Sequence, residues 1–160
     1  MAEFRALYPE LDMVYFGDRV NCPYGDRTPE EILALTLVGV ARLVEIGCVI
    51  VIIACNTAAA HTIVYLQNEV YPPGSGIKIL GVTVPGVEAA LRILTVFSSE
   101  YSRSNSLYPM PEASGSQVLL PLVSCTIGVL ATQVTVDAEV YTRKIQDMVA
   151  DAQVIEIAVP

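Results

Sequence analysis

Seven consecutive apolar residues, "CVIVIIA" from Cys48 to Ala54, leave no polar position on either face of an extended chain. A strand apolar on both faces reads as a central strand of a parallel sheet. "IKILGV", Ile127 to Ala131 ("IGVLA") and "AQVIEIAV" read as further strands, and so does "DMVYFGD", rich in Val, Tyr and Phe. Helical patterns lie between them. A short helix over Ala2 to Leu7 is ended by Pro9. "TPEE" opens a longer one, with Thr28 as N-cap, Pro29 at the first helical position and Glu31 closing a capping box; Gly47 ends it after Ile46. "AAAHTIVYLQNEV", "PGVEAALRILTVF" (apolar at Val87, Ala90, Leu91 and Leu94) and "VDAEVYTRKIQDMVA" complete the helices. Regular strand–helix alternation predicts an α/β class built on a parallel sheet.

The alternation is interrupted once. "SSEYSRSNSLYPMPEASGSQ", residues 98–117, is rich in Ser and Pro and has no periodic apolar face, so it reads as an insert or linker. It divides the chain into residues 1–97 and 118–160.

Composition narrows the functional classes. Hydrophobic residues make up 53% of the 160 and charged residues 16%, enough for a real core. A net charge of −8 argues against nucleic-acid binding and against docking on anionic lipid, both of which need a basic face. No apolar run approaches the roughly 20 residues of a membrane span. Cys22, Cys48, Cys55 and Cys125 form no CxxC pair, and His61 is the single histidine, so no metal site is expected. With no signal peptide, the cysteines are read as reduced and the protein as cytoplasmic.

In open parallel sheets ligands bind beyond the carboxyl ends of the strands. "DMVYFG" leads there to Asp18 and "NCPYG", "VIVIIA" to Cys55, Asn56 and Thr57, and "IGVLA" to Thr132 and Thr135. This inventory is hydroxyl, amide, backbone N–H and thiol groups, none of them basic. At the start of a helix Cys55 would be favoured as thiolate; a small apolar plug is the other reading. Asn56 and Thr57 fit capping residues equally well. Tyr24-Gly25 reads as a turn, Cys22 as loop filler, Glu30-Glu31 as charge complementing a helix dipole, and His61 as a packed or exposed side chain. Thr83 reads as a helix cap, and Cys48 and Cys125 as core.

"YFGDRVNCPYGDRTPEEI", "VIVIIACNTAAA", "ILGVTVPGVEAA" and "IGVLATQVTVDAEVYTRKI" together resemble glutamate racemase, of the cofactor-independent aspartate/glutamate racemase superfamily. The resemblance implies racemisation of a small acidic amino acid by cysteine thiol/thiolate chemistry, without cofactor or metal, supplying D-glutamate for peptidoglycan. It makes Cys55 one of two catalytic cysteines. It assigns Asn56, Thr57, Thr132 and Thr135 to substrate binding, and Pro23, Tyr24 and Gly25 to the loop that binds the distal carboxylate. It further implies a racemase lobe lacking its first strand and its Asp-Ser-Gly turn, followed by the start of a second lobe. The family's second cysteine, in a Cys-Thr-His motif, has no counterpart; "SCTI" has Ile127 where the histidine would stand. The expectation is therefore a chain inactive by itself, with a homodimer or a complementing fragment as partner. Two other readings stand beside it: a one-cysteine decarboxylase or isomerase of the same superfamily, and a non-catalytic scaffold.

Overall fold

The computed structural model describes residues 2–92 and 126–159. Helix α1 (Ala2–Leu7) opens the chain. The expected strand "DMVYFGD" is not one. Residues 12–19 carry no regular structure, and Val14 and Tyr15 are exposed. A strand exists only through ladder partners, and no described strand pairs with this stretch. Of its apolar side chains, Phe16 reaches α2. The Phe16 ring lies over Gly39, where an added Cβ would be 3.0 Å from the ring edge.

Helix α2 (Pro29–Glu45) begins with the expected box: Thr28 Oγ1 accepts from the Glu31 N–H, and the Glu31 carboxylate accepts from the Thr28 N–H. It ends in a Schellman closure, with Cys48 N–H on Leu43 O, Gly47 N–H on Val44 O, and Gly47 at φ +96°. A left-handed residue there favours glycine. Ile32, Thr36, Gly39 and Val40 form the buried stripe of α2.

Strand β1 (Ile50–Ile53) pairs in parallel with β2 (Lys78–Gly81), Val51 beside Ile79 and Ile53 beside Gly81. Between them run α3 (Asn56–Tyr65) and one π turn, Leu66–Val70. Val51, Ile53 and Ile79 face α2 and α3 and are buried, whereas Ile50, Ile52 and Leu80 on the other face are about half exposed. The two-sided burial expected of a central strand is thus realised on one face. The first core joins Ile32, Val40, Val51, Ile53, Ala58, Ala59, Leu66 and Ile79, together with Val134 from the later part of the chain. Helix α4, residues 83–92, starts two residues before the expected Pro85; proline is tolerated in a first turn, where its missing N–H is no loss.

A second parallel pair joins β3 (Thr126–Ala131) to β4 (Gln153–Ala158). The single helix expected over Val136 to Ala150 is two, α5 (Gln133–Asp137) and α6 (Val140–Met148). The break is at Glu139, whose φ of +49° cannot continue a right-handed helix. Glu156 on β4 compensates at the new N-terminus, accepting from the Thr142 N–H (2.9 Å) and hydroxyl (2.6 Å). Val87, Ile145 and Ala152 form a smaller second core. The Ser/Pro stretch and Cys125 lie outside the described residues.

Candidate functional site

Three hydroxyls meet where the two halves touch. Thr57 stands in the first turn of α3, Thr132 is the N-cap residue of α5, and Thr135 lies within α5. Their Oγ1 atoms form a triangle: Thr132 to Thr135 2.9 Å, Thr57 to Thr132 3.2 Å and Thr135 to Thr57 3.2 Å. Each hydroxyl can donate once around this ring and accept once. Thr135 and Thr57 are buried, and Thr132 is the partly exposed member. Turning the Thr132 hydrogen outward leaves Thr135 donating to Thr57 and Thr57 donating to Thr132. The ring then becomes a chain whose last donor is offered to a ligand, each bond polarising the next.

The Pro23–Tyr24–Gly25 loop closes on the same point. A Cβ on Gly25 would lie 2.8 Å from Thr132 Cγ2, so only glycine fits against that threonine. Tyr24 packs against the first core, and its hydroxyl donates to Asp18 Oδ2 at 2.9 Å. Burial first, then this hydrogen bond, pushes the Tyr24 phenol up to about 12; the charges of Asp18, Cys22 and Cys55 act in the same direction. Asp18 also accepts from the N–H and side-chain amide of Asn21, and the Asn21 hydrogen bond is the main cause that holds its carboxyl below the ordinary value. Arg27 Nε donates to Asn21 O at 2.7 Å, and the Cys22 thiol to Asp18 O at 3.0 Å. The loop is thus held by its own polar side chains, around a cis Cys22–Pro23 peptide.

Cys55 is the N-cap residue of α3. It is exposed, free and makes no capping hydrogen bond through its sulfur. Its backbone carbonyl accepts the Ala59 N–H. Asn56 follows as the first residue of α3, also exposed. Neither enclosure in hydrocarbon nor a capping duty accounts for this thiol. No group of three or more His, Cys, Asp or Glu among the described residues is placed to hold a metal ion.

The structure therefore gathers Gly25, Thr57, Thr132 and Thr135 in direct contact, with Tyr24 in electrostatic reach of Cys55. Thr83 departs from its reading as a cap. It is the first residue of α4, buried, and its hydroxyl finds no partner among the described residues. Asn21 and Arg27 were not singled out in the sequence. The signal was an Asp and an Asn three apart in a turn-rich segment, a spacing suited to local side-chain-to-backbone bonds.

A thiol and a ring of hydroxyls thus lie at strand-to-helix junctions of a parallel α/β chain, with hydrogen-bond donors and no basic side chain among them. No protein-family model matches the chain. It is 44% identical to the glutamate racemase of Phenylobacterium zucineum over 88 residues, 52% of this chain and 31% of that protein. It is 31% identical to the glutamate racemase of Herpetosiphon aurantiacus over all 160 residues, 50% of that protein. The solved structure of glutamate racemase from Aquifex pyrophilus superposes with a TM-score of 0.71 at 28% identity, covering 99% of this chain and 49% of the other. The chain is a relative of the glutamate racemases in sequence and in fold, and spans about half the length of the relative it matches from end to end.

Proposed function

We propose that this chain carries one side of a glutamate racemase active site, and that the protein interconverts L- and D-glutamate without cofactor or metal. The observation that carries this is the exposed Cys55 thiol at the start of α3, two residues before Thr57, which joins Thr132 and Thr135 in the hydroxyl ring that Gly25 lies against. In this reading the Cys55 thiolate takes the α-proton of one enantiomer. A closed site favours that step by removing the water that would otherwise hold the thiolate. Asn56 and Thr57 hold the substrate at the same helix start. Thr132 donates to its amino-acid head group, with Thr135 behind it holding the hydroxyl chain through Thr57, and the backbone N–H groups of the Pro23–Gly25 loop receive the distal carboxylate. An acidic chain thereby binds an acidic substrate through directed donors.

Inversion needs a second acid on the opposite face. Cys22, the other exposed thiol near Tyr24, already directs its hydrogen to Asp18 O. These 160 residues by themselves are therefore expected to racemise little or not at all, with a homodimer or a complementing fragment supplying the rest. The division into residues 1–97, 98–117 and 118–160 belongs to the same proposal, as do a cytoplasmic setting and D-glutamate supply to peptidoglycan.

Proton NMR of D- and L-glutamate in deuterated buffer tests it. Exchange of the α-proton of one enantiomer without inversion, abolished by Cys55→Ala, is the expected result. Rapid interconversion by this chain would overturn the one-thiol reading. Absence of both exchange and glutamate binding would overturn the racemase site.

A further inference from the structure

His61 takes no part in the chemistry above. It stands on α3 four residues after Thr57, so the two side chains leave the same face of the helix. Both reach α5. Thr57 meets the hydroxyls of Thr132 and Thr135, and His61 Nε2 lies 2.8 Å from Val134 O. That carbonyl belongs to a helix of five residues, too short to satisfy its last acceptors internally. The Ala138 N–H, four residues on, bonds Val136 O instead. A carbonyl only accepts, so His61 Nε2 must carry the hydrogen. In the neutral ring this selects the Nε2–H tautomer and leaves Nδ1 as the acceptor.

We infer that His61 is a positioning residue, whose Nε2–H bond to Val134 O sets the Thr132 and Thr135 hydroxyls against Cys55, Asn56 and Thr57. Docking of α5 does not depend on this bond, because the Val134 side chain is already part of the first core. Val134 and the hydroxyl ring dock the short helix but leave the tilt of its Val134 carbonyl free. A directed hydrogen bond on the carbonyl of the anchoring residue removes that freedom. It does so one residue before Thr135 and two after Thr132, the two residues that close the hydroxyl ring. The ligand consequence rests on the glutamate-site reading; the bond and its tautomer do not.

Nitrogen-15 NMR of the 160-residue chain reads the tautomer directly, and Nε2–H is expected. His61→Ala should raise hydrogen exchange at the Thr135 and Val136 amides, and the Kd for glutamate, each by about five- to tenfold, the scale of one net hydrogen bond. His61→Gln, whose amide N–H can reach a carbonyl, should recover part of both. An Nδ1–H tautomer, unchanged exchange in His61→Ala, or a glutamine variant no better than alanine would overturn the inference. If the unaltered chain binds no glutamate, the site reading fails while tautomer and exchange still decide the role of His61.

Discussion

The β1–β2 and β3–β4 pairs share a parallel geometry, and their coverings differ. Helices α2 and α3 close over one face of the first pair. Gly81 comes so close to α3 that an added Cβ would lie 3.2 Å from Ala59 Cβ. Among the described residues, nine buried side chains form a continuous core there, against three in the cluster beside the second pair. No residue of β3 or β4 is fully buried. An apolar cleft of about 140 Å³ remains between α4 and the second pair, lined by Val87, Ala90, Ile127 and Ile145 among others. The lesson is where the second half gets its stability. Among the described residues its cluster is small and shares Val87 of α4, and α5 is held by the first half through Val134, the hydroxyl ring and His61. The hydroxyl ring sits on that seam, so its closure requires α5 to be docked on α3.

Four expected outcomes sharpen or break this contrast. Ile32→Ala, at a fully buried position of the larger core, should cost roughly 2–5 kcal/mol in denaturant unfolding. Ile145→Ala, in the smaller cluster, should cost clearly less; equal losses would mean the two cores carry equal weight. Thr135→Val keeps the shape and removes a buried hydroxyl from the ring, and should cost about 1–3 kcal/mol. Thr132→Val, at the partly exposed corner, should cost less stability and more glutamate affinity, read by calorimetry on both variants.

Gly25→Ala would force its Cβ onto Thr132 and should move the loop off the seam, at about 1–3 kcal/mol by the general cost of overpacking. Thermal unfolding checks it, with the Tyr24 ring resonances as local readout. The smallest effect is ionic. The folded Tyr24 phenol titrates near 12, above the ordinary value of 10, so stability is full below 10 and falls as pH rises from 10 towards 12. Asp18→Asn should bring the Tyr24 titration part of the way back, since burial, the larger cause, remains. Asp18 runs the other way. Its folded value is lowered, so what it contributes is present above its ordinary value and is lost as pH falls through the lower one. Carbon-13 tyrosine NMR across the alkaline range reads the first of these, and loop chemical shifts in acid read the second.

Much of this was legible in the chain. The capping box at Thr28 and Glu31, the glycine stop at Gly47 and the β1–α3 junction at Cys55 follow from local chemistry and appear where expected. Three local misreadings have physical causes. Residues 12–19 have strand composition but no ladder partner among the described residues, and Phe16 uses its ring to pack on α2. The helix expected from Val136 is broken because Glu139 is held left-handed, which no propensity scale announces. Thr83 looked like a cap and is instead a buried hydroxyl inside a first turn.

What the sequence determined by itself is the strand–helix alternation from α2 onward, the capped ends of α2 and the residue types at the carboxyl ends of β1 and β3, because capping, turn formation and apolar periodicity act over a few neighbouring residues. Tertiary structure alone decided that Thr57 would meet Thr132 and Thr135, that Gly25 would lie against Thr132, and that His61 would find Val134 O. Those partners are about 70 to 110 residues apart along the chain. Their meeting depends on how α3 and α5 pack, which is set by the volumes of side chains buried between them and leaves no short-range trace in the sequence.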